Sequence, residues 1–223
     1  MQPGKEFGPF NRKESVRGIR FVTVSLLALA AAAPGRGQQA DGAAQRSQGA
    51  RTAPVTVYEM ADFQCPACRA FAITELPRVE HDYIQTGKVH WVFINLPLTS
   101  IHKNTIPAAE VAMCAARQGK FWPMHDLLYH HQDEWADLDA PLPYLYGLGD
   151  SLHLSQPALR TCVEGHATRP AIDADAASAA RAGAHATPSF YIEGGLLEGA
   201  PPYAVLQTVL DSIYTAKTAH PGT

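Results

Sequence analysis

Several features are absent from this 223-residue sequence, and each absence excludes a class of protein. Residues 54–223 have no excess of positive charge, since their ten basic and eighteen acidic residues give a balance of −8. This argues against a nucleic-acid-binding protein, which needs a positive face. The sequence has no glycine-rich phosphate loop, no dinucleotide-binding motif and no internal repeat. Its length allows one domain of ordinary size with a short appendage, not two large domains.

Long hydrophobic runs are also scarce, and only residues 19–33 are apolar enough to enter a membrane. Basic residues precede this run and alanines end it, which is typical of a secretory signal peptide. An uncleaved anchor is the alternative, although the run is shorter than the ~20 residues that cross a bilayer comfortably. We therefore interpret residues 1–33 as a signal peptide or N-terminal anchor, which places the rest outside the cytoplasm. Residues 34–53 are rich in Gly, Ala, Gln and Ser and are predicted to be a flexible linker before a folded part that begins near Pro54.

The spacing of apolar residues in the folded part predicts strands that alternate with helices. Strands are predicted over residues 54–60 and 88–95, with a hairpin over 189–198. Helices are predicted over residues 67–85, 105–117, 121–131, 156–165, 170–182 and 202–217, with a kink or break at Pro77. This order indicates an α/β fold with a layered sheet. The helical stretch before the hairpin is too long for a loop and is interpreted as an inserted helical domain.

Cys65 and Cys68 enclose the dipeptide Pro-Ala where the first strand ends and the first helix begins. Residues three apart lie on the same side of a helix, so the two sulfurs can meet. Free N–H groups and the dipole at a helix N-terminus favour an anion, and such sites lower a cysteine pKa by roughly one to five units. Cys68 lies one turn further in and should stay protonated. We predict that Cys65 is the attacking and leaving sulfur and that Cys68 is the resolving one.

Two structural interpretations of this pair remain open. A zinc site needs a second pair of ligands at similar spacing, and Cys114 and Cys162 are far apart in the sequence. The histidines that could complete such a site do not cluster with Cys65: His102, His125, His130 and His131. An inert structural disulfide would be a strained and easily reduced ring. We predict no metal and no organic cofactor, since the cysteine pair itself can carry electrons.

Glu59 precedes Cys65 by six residues and shares the inward face of the first strand with Val55 and Val57. A carboxylate on a buried face is costly unless it has a task. We predict that Glu59 exchanges a proton with the thiol of Cys68 as a general acid and base. The alternative is a glutamate at the end of a strand that reaches solvent.

Three segments resemble the DsbA-like branch of the thioredoxin superfamily. They are EMADFQCPAC at residues 59–68, GKFW followed by MHD within 119–126, and TPSF at 187–190. The resemblance covers residues 54–217 and implies a thioredoxin fold with an inserted helical domain. The thioredoxin domain would then comprise residues 54–100 and 186–223, and the insert residues 101–185.

The resemblance also implies roles for individual residues. Cys65 and Cys68 would be the redox-active pair, and Pro188 would follow a cis peptide bond that faces them, with a trans Pro188 opening an edge strand as the alternative. Thr187 would line the groove for an extended substrate strand. Four further residues are predicted to contact substrate at the surface: Phe63, Gln64, Pro66 and Ala67. Many members have a histidine between the cysteines, and because alanine offers no donor there we expect a less stabilised dithiol.

Cys114 and Cys162 both fall in the predicted insert. Two remaining cysteines of an exported protein usually pair, and some DsbA-like proteins have a second bridge in the helical domain. We therefore predict a structural disulfide between them. Two buried free thiols are the alternative.

Together these inferences predict an exported thiol:disulfide oxidoreductase that introduces disulfides. Its substrates would be unfolded exported proteins with free thiols, and a membrane partner of the DsbB or VKOR type, implied by the resemblance alone, would reoxidise it. A reductase or isomerase of the same fold is one alternative. A non-catalytic peptide-binding chaperone module is another, from a different class of function.

Overall fold

The computed structural model describes residues 42–219, whose strands form a single sheet. The strands are β1 (Ser47–Gln48), β2 (Val55–Ala61), β3 (Val89–Asn95), β4 (Ser189–Ile192) and β5 (Gly195–Glu198). Their order in the sheet is β1-β3-β2-β4-β5. The predicted signal peptide or anchor, residues 1–33, lies outside the described residues.

The central strand β2 pairs in parallel with β3 and antiparallel with β4. The outer strands β1 and β5 add antiparallel pairs to β3 and β4. One face of β2 carries Val55, Val57 and Glu59, and each of the three is fully buried. The inward face that the alternating pattern of β2 predicts is therefore correct, and the carboxyl group of Glu59 is buried on it.

Helices pack against this sheet, and most of them lie between β3 and β4 in the sequence. They are α1 (Pro66–Thr74), α2 (Leu76–Val79), α3 (Thr105–Ala116), α4 (Phe121–His130), α5 (Gln132–Trp135), α6 (Leu142–Ser151), α7 (Gln156–Glu164), α8 (Arg169–Arg181) and α9 (Tyr203–Ala219). A π-helical turn, Glu80–Ile84, continues α2. The helix predicted over 67–85 is thus broken, and the break lies at Glu75 because Pro77 is tolerated only in the first turn of the new helix. The four-residue α5 and the ten-residue α6 were not predicted.

The helices α3–α8 follow one another without a strand, within the predicted bounds 101–185 of the insert. None of the helices in residues 42–219 has the length and apolar character needed to cross a bilayer. Cys114 on α3 and Cys162 on α7 form a disulfide with their Cα atoms 5.9 Å apart, and this bond joins two helices of the insert.

The two largest apolar cores both pack against the partly buried Trp122. One core lies mostly in the insert, with Phe121 and Trp135, and extends to Phe63 in the loop after β2. The other lies between the sheet, α1 and α9 and includes Phe71 and Leu206. Both cysteines of the CxxC segment belong to the first core, so the segment lies where the insert contacts the thioredoxin domain.

The prediction of a flexible linker over residues 34–53 is wrong for residues 42–53. Residues 42–45 are helical, and β1 pairs with β3. Arg46 is only 5% exposed, forms an ion pair with Asp175 of α8, and donates from Nη1 to the carbonyl oxygen of Phe93 at 2.8 Å. The small polar residues of this segment resemble a linker in composition, but one buried arginine attaches the segment to the domain.

Loss of the Arg46 guanidinium should destabilise the fold. In Arg46→Ala the Asp175 carboxylate stays buried, keeps only its hydrogen bonds from Asn95, and lacks its cation. We expect the free energy of unfolding, measured by urea denaturation with tryptophan fluorescence, to fall by about 3–5 kcal/mol. The matched control is Arg169→Ala, which removes an exposed pair with Asp173 and should cost less than about 1 kcal/mol. Equal losses in the two variants would show that burial of the Arg46 pair is unimportant.

Candidate redox-active site

The first cysteine of the pair occupies the N-terminus of α1. Cys65 is the N-cap residue, with an extended backbone (φ −74°, ψ 123°), and its N–H donates to the carbonyl oxygen of Asp62 at 3.1 Å. Pro66 follows at the first helical position, where its missing N–H leaves no helical hydrogen bond unmade. The sequence therefore starts the helix immediately after Cys65 and places its sulfur beside the free N–H groups of the first turn.

The two cysteines differ in their access to solvent. Cys65 is 7% exposed and Cys68 is fully buried, whereas Pro66 and Ala67 between them are exposed. Neither Cys65 nor Cys68 is in a disulfide, so the structure shows the dithiol form. A partner molecule can therefore approach Cys65 past the two exposed residues but cannot reach Cys68.

The two thiols also differ in acidity. The pKa of Cys65 is lowered to about 5, and the largest cause is a hydrogen bond donated by the thiol of Cys68. The Thr187 side chain and the N–H groups of Cys68 and Ala67 lower this pKa further, whereas burial opposes the shift. Burial, and then the hydrogen bond and charge of Cys65, raise the pKa of Cys68 well above its ordinary value. Cys65 is thus the sulfur that is ionised at neutral pH, although the residue before Cys68 supplies no side-chain donor.

The Thr187–Pro188 peptide bond is cis and lies beside the cysteines. The carbonyl oxygen of Thr187 is 3.4 Å from Sγ of Cys65 and accepts a hydrogen bond from its thiol. The hydroxyl of Thr187 is buried and has no other hydrogen-bond partner within the described residues, so it can donate to the thiolate of Cys65. Strand β4 begins at the next residue, Ser189. The trans alternative for Pro188 is therefore wrong.

Glu59 lies on β2 beneath the cysteines and is fully buried. Nε1 of Trp91 donates to Oε2 of Glu59 at 2.9 Å, while Oε1 has no hydrogen-bond partner among the described residues. Burial raises the pKa of Glu59, partly offset by the charge of His125 and the Trp91 hydrogen bond. The negative charge of Glu59 in turn contributes to the raised pKa of Cys68. The alternative of a glutamate that reaches solvent is wrong, and this carboxyl group can hold a proton close to the buried thiol.

Phe63 and Gln64 were predicted to be surface contacts, and this is wrong for both. Phe63 is 1% exposed, and its ring stacks on Phe93 with the centroids 5.0 Å apart. Gln64 is buried, where its Nε2 donates to the carbonyl oxygen of Ala136 at 2.8 Å and its Oε1 accepts from the N–H of Asn104 at 2.6 Å. Proximity to Cys65 in the sequence suggested exposure, but the insert covers this segment.

Sequence reasoning missed Asp62, which organises the loop before the cysteines. Its buried carboxylate accepts from the N–H of Gln64 and the N–H of Leu98 at 2.8 Å each and from the hydroxyl of Thr105 at 2.6 Å. His102 Nδ1 lies 2.8 Å from the same carboxylate. An acidic residue between a strand and an apolar Phe-containing segment is the signal that could have identified it.

Gln132 of α5 was also missed. Its side chain is buried and donates from Nε2 to the carbonyl oxygens of Phe63 at 2.7 Å and Cys65 at 3.1 Å. These bonds hold the backbone of the loop that carries Cys65 against the insert. Nothing in the sequence marks this glutamine, because its role depends on contacts between segments that are far apart in the chain.

The histidines considered as zinc ligands have other neighbours. His131 Nδ1 lies 2.8 Å from a carboxylate oxygen of Glu134, and His125 is buried among aromatic rings. The other two candidate cysteines, Cys114 and Cys162, are bonded to each other. Within residues 42–219, no three His, Cys, Asp or Glu side chains are grouped so that they could hold a metal ion.

Comparison with known proteins places this chain in a family. A family model described as Thioredoxin matches residues 42–212. The chain is 30% identical over 171 residues to the probable disulfide bond formation protein D of Bacillus anthracis, which covers 75% of this chain and 77% of that protein. It is also 35% identical over 176 residues to the Na(+)/H(+) antiporter NhaA 3 of Salinispora tropica, covering 78% of this chain and 25% of that protein. The chain thus spans about a quarter of the length of the antiporter relatives that it matches.

Solved structures share the fold at lower sequence identity. The crystal structure of Wolbachia pipientis alpha-DsbA1 has a TM-score of 0.70 and 22% identity, covering 78% of this chain and 92% of that one. Oxidised BdbD from Bacillus subtilis has a TM-score of 0.69 and 22% identity, covering 78% and 94%. The chain belongs to the thioredoxin superfamily, in its DsbA-like branch. The predicted thioredoxin fold with an inserted helical domain is confirmed.

The acidity of Cys65 can be measured directly. In the reduced protein, thiolate absorbance in the far ultraviolet should titrate with a pKa of about 5. The Cys68→Ala variant should move this pKa upward, because it removes the thiol that makes the largest contribution.

The ionisation of Cys65 should also make the stability of the fold depend on pH. The folded-state pKa lies below the unfolded value of about 8.5, so the free energy of unfolding should rise from pH ~5 to pH ~8.5 and lose this contribution below pH ~5. Cys65→Ser should lack this slope, and a slope that persists in that variant would assign it to another group.

Proposed function

We propose that this protein is a thiol:disulfide oxidoreductase that uses Cys65 and Cys68 as its redox pair. The observation that carries the proposal is the pairing of unlike sulfurs at the start of α1, one accessible with a pKa of about 5 and one buried with a raised pKa. Membership of the DsbA-like branch supports the same chemistry, and the Bacillus relatives are named for disulfide bond formation. The cysteine pair itself carries the electrons in this proposal.

The first step starts from the oxidised Cys65–Cys68 bridge. A thiolate of the substrate attacks Sγ of Cys65 and forms a mixed disulfide with it. The electron pair of the broken bond passes to the sulfur of Cys68. A proton is needed at that sulfur, because burial disfavours its thiolate, and the carboxyl group of Glu59 supplies it.

The second step releases the oxidised substrate. Another substrate thiolate attacks the substrate sulfur of the mixed disulfide, and the electron pair of that bond passes to Cys65. The lowered pKa of Cys65 makes it a good leaving group at neutral pH. The substrate gains a disulfide and loses two electrons, which remain in the Cys65–Cys68 dithiol.

Substrate peptides would bind beside Thr187 and Pro188. The carbonyl oxygen of Thr187 lies next to the reactive sulfur, and an extended peptide can pair with the backbone there. The exposed Pro66 and Ala67 would form the opposite side of this contact. These pairings depend on backbone groups, so they suit many unfolded sequences rather than one.

We favour the oxidase direction and a location outside the cytoplasm. The low pKa of Cys65 stabilises the reduced form and so makes the disulfide a stronger oxidant. The disulfide between Cys114 and Cys162 suits an oxidising compartment, as does the signal-like pattern in residues 1–33. The substrates would then be unfolded exported proteins with free thiols. A membrane redox partner of the DsbB or VKOR type would reoxidise the dithiol.

Two cysteine variants separate catalysis from peptide binding. Cys65→Ala should abolish thiol–disulfide exchange with a reduced unfolded protein, since it removes the attacking sulfur. Cys68→Ala should accumulate mixed disulfides at Cys65, which non-reducing electrophoresis and mass spectrometry would detect. A non-catalytic chaperone would keep its full activity in suppressing aggregation in both variants and would capture no partner covalently, and that result would overturn the proposal.

Equilibration with glutathione decides the direction. We expect a reduction potential well above the roughly −270 mV of thioredoxin, toward the roughly −120 mV of the most oxidising relatives. The absence of a histidine between the cysteines should leave the value below that upper limit. A potential close to that of thioredoxin would instead favour the reductase or isomerase alternative.

A further inference from the structure

His125 of α4 is a buried titratable residue with no role in the steps above. It is 1% exposed, and its ring packs among five aromatic side chains at centroid distances of 4.9–6.3 Å: Phe63, Phe93, Phe121, Trp122 and Tyr129. Burial of an imidazole among apolar rings is costly unless both ring nitrogens have a partner or a task. A leucine or phenylalanine would fill this space without that cost.

One nitrogen of the ring is fixed by its neighbour in the chain. Nδ1 of His125 lies 2.9 Å from Oδ1 of Asp126, whose side chain is 64% exposed. The carboxylate accepts a hydrogen bond, so the proton of a neutral His125 is on Nδ1 and the lone pair is on Nε2. Asp126 therefore both sets the tautomer and connects the buried ring to solvent.

The other nitrogen has no partner, and neither does a nearby carboxylate oxygen. Among the described residues, Nε2 of His125 and Oε1 of Glu59 are both buried without a hydrogen bond. Phe93 lies directly beside Glu59 in the parallel pairing of β2 and β3, and the ring of His125 packs against Phe93 with centroids 5.5 Å apart. The two unpaired groups therefore border the same phenylalanine. They are not hydrogen-bonded to each other, so transfer between them requires one side chain to turn toward the other.

Electrostatics supports a connection between them. Burial is the main influence on Glu59 and raises its pKa, while the charge of His125 is the largest opposing influence. The other groups that bear on this region are Cys65, Cys68 and Tyr129, with the acidic Asp62 and Glu80. None of these supplies a second positive charge close to Glu59.

We propose that His125 completes a proton relay in which Glu59 exchanges its proton with Nε2 of His125, and His125 exchanges with solvent at Asp126. The inference rests on the proposed function, because it concerns how the proton of Cys68 enters and leaves. His125 is a positioning residue here, since it acts through Glu59 and does not touch the reacting sulfurs.

The protons balance in both directions. When a substrate thiolate opens the bridge, the Cys68 sulfur takes the proton of Glu59. The resulting carboxylate takes the Nε2 proton of His125 while Nδ1 takes one from solvent by way of Asp126, which leaves the neutral ring protonated on Nδ1. When the dithiol is reoxidised, Cys68 gives its proton to the Glu59 carboxylate and Glu59 gives one to Nε2 of His125. The Nδ1 proton then leaves by way of Asp126, so the neutral ring returns to the form protonated on Nε2. The disulfide partner is the only oxidant, and it takes up the two electrons.

If the relay operates, loss of the His125 imidazole should slow the step of thiol exchange in which Cys68 attacks and should not slow the step in which Cys65 attacks. Reduced protein is mixed with glutathione disulfide, and rapid acid quenching with mass spectrometry separates two rates. The first is attack by Cys65, which forms the mixed disulfide, and the second is attack by Cys68, which must first lose its proton. In His125→Phe we expect the first rate to stay within about twofold of the unsubstituted protein and the second to fall about tenfold or more at neutral pH. The second rate should also become more strongly dependent on pH.

Additional variants distinguish a relay from simple packing. His130→Phe, an exposed position on the same helix, serves as the matched control and should change neither rate. The double variant Glu59→Gln with His125→Phe should be no slower in the second step than Glu59→Gln alone, because the relay is already interrupted. Asp126→Asn leaves the buried ring in place and should slow the second step in the same direction, so it provides the test if His125→Phe does not fold.

Three results would overturn the relay. They are an unchanged second rate in both His125→Phe and Asp126→Asn, equal slowing of both steps in His125→Phe, or independent effects of the Glu59 and His125 substitutions in the double variant. Failure of the unsubstituted protein to react with glutathione disulfide at all would instead overturn the proposed function, and the relay with it.

Discussion

The site depends on a hydrogen bond between two thiols that share the first turn of one helix. Donation from Cys68 to Cys65 favours a thiolate on the outer sulfur, and the resulting charge disfavours a second thiolate on the inner one. The helix supplies further N–H donors, and burial acts on the two sulfurs to different extents. Two identical side chains therefore differ in reactivity, because they lie three residues apart at the start of a helix and only Cys65 can be reached from solvent.

The surrounding structure holds that short segment in place from several sides. Asp62 and Gln132 bind the backbone of the loop before α1, and Gln64 ties the same loop to the insert. The insert thus covers the loop before α1 and fixes its backbone. Glu59 approaches from the sheet, so the thioredoxin domain supplies the carboxyl group and the helix start, while the insert fixes the loop that joins them.

Much of this arrangement could be predicted from the sequence, because its signals are local. The alternation in β2 placed Glu59 on the buried face, and Pro66 marked the start of α1. The burial of Phe63 and Gln64 and the roles of Asp62 and Gln132 could not be predicted, since they arise from contacts with β3 and with helices of the insert that no nearby residue indicates. The ordered segment before β2 was missed because composition does not show that a single arginine will be buried against α8.

The disulfide within the insert has a consequence for how such a molecule matures. Cys114 and Cys162 close a loop of 48 residues, and closing it removes two electrons from the newly made chain. The protein is therefore itself a product of the chemistry proposed for it. A newly made copy needs an acceptor for those electrons, and an older, already oxidised copy is a chemically competent one.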